Sequence, residues 1–215
     1  NPALLSRWKR NHPELLMGTQ EEAAEFPFRD LRHIWTPADF ANPEVRDLTV
    51  RIVRDVLNRY DVDGIDLDFL RARWYFQESR LGQPVTQQHI DLLTDMVGQI
   101  RREVLAASKR KGKPILMSAR TLSTAAFARQ FGTDIERWMK LGYLDLVFTG
   151  GHFDNFTAMG RDLVRRGHAL GLPVYLCLSG SDFMSRARPH TDLSVGNSDA
   201  WRGAAANCWF VGADG

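Results

Sequence analysis

Asp66 and Asp68, in the stretch DGIDLDFLRARWYF (63–76), are two carboxylates set into an otherwise apolar run. Alternate side chains of a strand point to opposite faces. Gly64, Asp66, Asp68 and Leu70 therefore share one face, and Ile65, Leu67 and Phe69 share the other, expected to be buried under helices. Burying an unpaired carboxylate is costly, so the aspartate face must meet polar, partly wet surroundings. Like charges this close oppose double ionisation. One of the pair is then expected to keep its proton, the state a general acid needs. The competing reading is that arginines hold both ionised and the pair only organises the scaffold.

The elements that must position these residues alternate along the chain. NPEVRDLTVRIVRDVLNRY (42–60) opens with Asn42 as N-cap and Pro43 at the first helical position, and its apolar residues recur at helical spacing. Thr86 is placed to cap a second long helix. Thr133 and Glu136 fit a capping box for a shorter one. A weaker helix is expected over about 156–170 and a last one over about 199–210. Strands are expected at 31–36, 64–69, 114–120, 143–150 and 172–179, with the final ADG entering another. Helices alternating with strands imply βαβ units and a parallel sheet, open and doubly wound or closed as a (β/α)8 barrel. No GxGxxG or GxxxxGK[ST] loop for phosphates is present, and no linker divides the chain. The expectation is one domain spanning residues 1–215.

Catalytic groups of such barrels gather at the C-terminal ends of the strands. Those ends offer His33, Trp35, Asp39 and Asn42 near the first strand, then Arg71, Arg73, Trp74, Tyr75 and Glu78 after the carboxylate strand. Ser118 and Arg120 share one face of the next strand, and His152 and Asp154 follow the one after. Tyr175, Cys177 and Ser179 share a face of the last, with Asp182 beyond. This mixture suits a sugar. Carboxylates and arginines bond hydroxyls, and Trp35, Trp74 and Tyr75 either cover apolar sugar faces or pack into the core. Arg120 is expected at the mouth beside Asp68, keeping it ionised as a nucleophile, a base or a stabiliser of a cationic transition state. Asp154 is then the first choice of proton donor. Asp66, deeper, is the more structural of the pair.

The net charge is +2 and the 28 basic residues are scattered, which makes no case for nucleic acid or an anionic membrane. No apolar run approaches the ~20 residues of a membrane span. Cys177 and Cys208 lie far apart without CxxC spacing, reading as two buried thiols. No cofactor and no metal are expected. A metal-dependent hydrolase using Asp66, Asp68 and His152 is the weakest reading, because no HxH or HExxH spacing supports it. Oligomeric state and compartment stay unassigned; an extracytoplasmic or secreted location is compatible with the sequence.

DGIDLDFL resembles the strand-four signature of chitinase-type, family-eighteen glycoside hydrolases, DGxDxDxE. Asp63, Gly64, Asp66 and Asp68 match, and Leu70 stands at the position of the catalytic Glu. That departure removes the acid on which the chitinase mechanism depends, so a chitinase is not expected. A longer similarity, over roughly 30–215, is to bacterial glycosyl-hydrolase-like barrels described as family-ten-like. It rests on NPEVRDL…RYDVDGIDLDF and on AAANCWFVGADG. It implies a (β/α)8 barrel cut at both ends, with 64–69 as strand four and the chain covering about strands 3 to 7 and the start of strand 8. Open edges of this kind invite aggregation. The resulting expectation is a glycoside hydrolase acting on a poly- or oligosaccharide through paired carboxylates. The alternative is a catalytically inactive carbohydrate-binding barrel.

Overall fold

A computed structural model describes residues 5–27, 30–70, 73–150, 160–178 and 198–215. In chain order the elements are α1 (Arg7–Asn11), α2 (Gln20–Ala24), α3 (Pro43–Arg59), β1 (Gly64–Asp68), α4 (Gln77–Arg80), α5 (Gln87–Lys111), β2 (Leu116–Thr121), α6 (Ala125–Arg129), α7 (Ile135–Lys140), β3 (Leu146–Thr149), α8 (Arg161–His168), β4 (Val174–Leu176) and α9 (Ser198–Phe210). Short 3-10 turns cover Pro13–Leu15 and Leu31–His33.

The four strands form one parallel sheet in the order β1-β2-β3-β4. No strand is skipped, and α3 packs on α5, α5 on α7 and α7 on α8. The helices of this layer therefore lie side by side against the sheet. The final residues continue the sheet: Asp214 donates its N–H to the Val174 carbonyl at 3.0 Å, and Leu176 donates to the Gly215 carbonyl at 3.2 Å.

The core sits between the sheet and these helices. Met117, Ala119, Val147 and Val174 point into it with no exposure, against Leu93, Val97, Ile100, Val104, Ile135 and Trp138. Each fully buried aliphatic side chain contributes about 1.5–3 kcal/mol. The apolar face of β1 is only partly covered: Phe69 is buried, whereas Ile65 and Leu67 are half-buried, not enclosed as expected. Trp138 turns its indole N–H to Thr94 Oγ1 at 3.0 Å, so burial leaves no unmet donor.

Local chemistry sets the helix ends. Thr86 and His89 make a reciprocal capping box, and Gly112, at φ 65°, closes the same helix in the left-handed conformation. The capping box expected at Thr133–Glu136 does not form. Asp134 accepts from the Arg137 N–H instead, while buried Thr133 donates to the Ala128 carbonyl at 2.8 Å. Asn42 sits at the N-cap of α3 without a side-chain bond.

The strand expected at 31–36 is absent. Asp30 accepts the Arg32 N–H, and the fully buried Arg80 guanidinium donates to the Arg32 carbonyl at 2.6 Å. Side chains thus take the backbone groups a ladder would need. Extended pairing occurs just beyond, where Met17 N–H reaches the Pro37 carbonyl and Asp39 N–H reaches the Leu15 carbonyl.

Candidate functional site

Among the described residues the sheet's other face is open, and strand register arranges it in levels. Asp68, Arg120, Phe148 and Tyr175 are register partners across the four strands. One level deeper, Asp66 lies beside Ser118 and then Leu146. Asp66 and Asp68 are exposed, while Arg120, Phe148 and Tyr175 are half-buried. Strand alternation thus puts Asp66, Asp68, Arg120 and Tyr175 on one face of the sheet, with Asp68 beside Arg120 and Tyr175 two strands beyond Arg120.

Their partners differ from the expected ones. Ser118 Oγ donates to Asp66 Oδ1 at 2.5 Å, and among the described residues no arginine pairs with Asp66. Asp68 and Arg120 are adjacent, but among the described residues no ion pair joins them. Asp68 Oδ1 instead accepts the Leu70 N–H at 2.9 Å in a tight turn closing the strand. The Arg120 guanidinium lies near Cys177, and its Nε is buried without a partner among the described residues. Burial pushes the Cys177 thiol up, and Arg120 opposes that shift.

Leu70 follows on the same strand parity as Asp66 and Asp68. It is 2% exposed and packs with Leu122 and Ala128, flanked by Phe127 and Phe131 of α6 and the turn after it. The end of the sheet over β1 and β2 is therefore roofed by apolar side chains.

Tyr75, expected to contact sugar, belongs to the core. It is 7% exposed, with its ring edge-on to Phe69 and Phe40, and its hydroxyl donates to the Phe69 carbonyl at 2.5 Å. Burial, with the nearby Asp68 charge added, pushes the Tyr75 hydroxyl far above its usual range, so it stays a donor. Arg73 lies over both Trp74 and Phe131, at 5.7 and 5.3 Å from the ring centres. Trp35 is half-buried on the coil before α3 rather than in a strand. Asp39 is 8% exposed and spends its carboxylate on the Ala41 and Gln77 N–H groups; burial, reinforced by Glu78, raises its pKa. Glu78 lies 3.8 Å from His89 Nε2. Arg71, His152, Asp154, Ser179 and Asp182 lie outside the described residues. Among the described residues, no three His, Cys, Asp or Glu side chains converge on a metal position.

Phe148 was not singled out from sequence. Its ring lies 5.3 Å from that of Tyr175, making an apolar wall beside the polar pair. The alternation in LDLVF carried the signal, since Leu146 and Phe148 share a parity opposite to Val147.

No family model matches the chain, and no curated protein matches it. Among solved structures, it is similar to a glycoside hydrolase family 18 N-acetylglucosaminidase from Paenibacillus barengoltzii, with a TM-score of 0.45 and 16% identity over 64% of this chain and 45% of that one. It is also similar to chitinase ChiA74 from Bacillus thuringiensis, with a TM-score of 0.42 and 16% identity over 64% of this chain and 25% of that one. The chain spans less than half the length of either structure. These comparisons lend no support to the family-ten-like resemblance.

Proposed function

We propose that the open face of the sheet binds a saccharide, and that the chain is part of a (β/α) barrel glycoside hydrolase in which Asp68 acts on the substrate. The observation supporting this is the level Asp68–Arg120–Phe148–Tyr175. A sugar ring has a hydroxyl edge and an apolar C–H face. The carboxylate and guanidinium at one end of the row suit the edge, and the paired rings at the other suit the face. Asp66, engaged by Ser118, supports the site from one level deeper. The sequence order offers Asp154, after β3, as proton donor, with protonation of the glycosidic oxygen and charge stabilisation divided between two carboxyl groups.

A second reading is a carbohydrate-binding barrel without turnover. It is favoured by Leu70, whose burial beneath α6 puts an apolar roof where the related motif carries its acid. A glycan array and a polysaccharide-release screen on the full-length protein, wild type and Asp68→Asn, separate the two. Release of sugar by the wild type and its loss in the variant support the hydrolase. Binding with no release supports the second reading. No binding and no release retires both.

A further inference from the structure

The peptide unit joining Phe69 to Leu70 is held at both ends. Its carbonyl oxygen accepts from the Tyr75 hydroxyl at 2.5 Å, and its N–H donates to Asp68 Oδ1 at 2.9 Å. The C=O and N–H of a trans peptide point in opposite directions. Anchoring the oxygen on one side therefore aims the N–H on the other.

The anchor is itself fixed. Tyr75 is buried, with ring centres 5.5 Å from Phe69 and 6.0 Å from Phe40, both edge-on. Its backbone carbonyl accepts the Phe40 N–H at 2.8 Å. On the strand side, the Phe69 N–H donates to the Arg120 carbonyl at 2.9 Å, continuing the ladder one residue past Asp68. Between these two restraints the 69–70 peptide has one orientation. Hydrogen bonds in series also polarise one another. Donation by the phenol into the carbonyl draws electron density from the amide and makes its N–H a stronger donor to the carboxylate.

We propose that Tyr75 is the positioning residue of Asp68: through the 69–70 peptide, its hydroxyl sets the direction and strength of the hydrogen bond that holds the Asp68 carboxylate at the end of β1. This rests on the reading that Asp68 acts on the substrate. It gives Tyr75 a role without contact to sugar, which its burial denies it.

Tyr75→Phe removes the hydroxyl and keeps the ring with both edge contacts. The probe is the Leu70 amide in a proton–nitrogen correlation spectrum of the full-length protein, with melting temperature as the folding control. In the wild type this resonance is expected to lie downfield and to respond to pH; loss of that response in Asp68→Asn makes the assignment. The Tyr75→Phe variant is expected to shift the resonance upfield and to lose at least half of the pH-dependent movement. In the sugar-release assay kcat is expected to fall about tenfold with KM unchanged, as for one weakened contact to a reacting group. An unchanged Leu70 resonance in a folded Tyr75→Phe protein overturns the proposal, whatever turnover does. A changed resonance in a protein without hydrolase activity retires the hydrolase reading while the positioning contact stands. Should Tyr75→Phe not fold, 3,5-difluorotyrosine at position 75 keeps the ring and strengthens the donor. The Leu70 resonance must then move further downfield, and no movement overturns the proposal.

Discussion

The two faces of the sheet are made by the same strands, often by adjacent residues, yet they are built on opposite principles. On the helix side, the side chains of Met117, Ala119, Val147 and Val174 are without exposure and belong to one apolar cluster. On the open side, Asp66, Asp68, Arg120, Phe148 and Tyr175 keep some or much of their surface in solvent. The helix face buys stability through packing. The open face holds polar groups in place through single hydrogen bonds such as Ser118 to Asp66 and Leu70 to Asp68. The difference teaches where variants should divide: changes on the helix face register as lost stability, and changes on the open face as lost function in a folded protein.

The largest expected effect tests the open face. Asp68→Asn keeps shape and removes charge, and should lower sugar release by roughly 10²–10⁴-fold, the contribution of a positioned acid or base group. Its urea midpoint should stay close to that of the wild type. Normal release by this variant would remove Asp68 from the reaction; an unfolded variant would erase the contrast between the faces.

Trp138→Ala tests the helix face. The side chain is fully buried beside Phe69, so its loss should cost about 3–5 kcal/mol in urea unfolding. Phe148→Ala, half-buried on the open face, should cost only about 1 kcal/mol. Equal costs would break the comparison.

Asp145 sharpens it, because it ties the helix layer to the sheet's edge. Its carboxylate takes two bonds from Arg101, at 2.6 and 2.8 Å, and one from the Met117 N–H at 2.7 Å. Burial alone would raise its pKa, but these donors outweigh burial and bring it below its ordinary 3.8. A carboxyl lowered in the folded state stabilises above its unfolded pKa, and that stability is lost as pH falls through the folded value. Asp145→Asn should cost about 1–3 kcal/mol at neutral pH. Below about pH 4 the gap between variant and wild type should narrow. A gap independent of pH would show that the charge is not what holds the contact.

The smallest effect is Ser118→Ala. It removes one hydroxyl from an exposed carboxylate, so thermal unfolding should register about 1 kcal/mol or less. A larger cost would mean that Asp66 carries structure across the open face after all.

Much of this arrangement is legible in residue order. Alternation in GIDLD placed both aspartates on one face, and the same parity placed Ser118 with Arg120 and Tyr175 with Cys177. Pro43 and Thr86 marked the starts of the two long helices, where α3 and α5 begin. The errors share a cause. LRHIWT has strand-like content, but Asp30 and Arg80, the latter 48 residues from Arg32, take the backbone groups a ladder requires. Tyr75 reads as an aromatic at the mouth, and only folding turns it inward to Phe69.

By itself, the sequence determined the two long helices, the four strands of the sheet and the face each strand residue takes, because periods of 2 and 3.6 residues are properties of the local backbone. Tertiary structure decided which polar groups meet. Asp68 stands beside Arg120 in register, yet it is held by the Leu70 N–H, while Arg120 lies near Cys177 and Leu70 closes under α6. Such choices depend on competition among donors brought together from distant parts of the chain, and no local period records that competition.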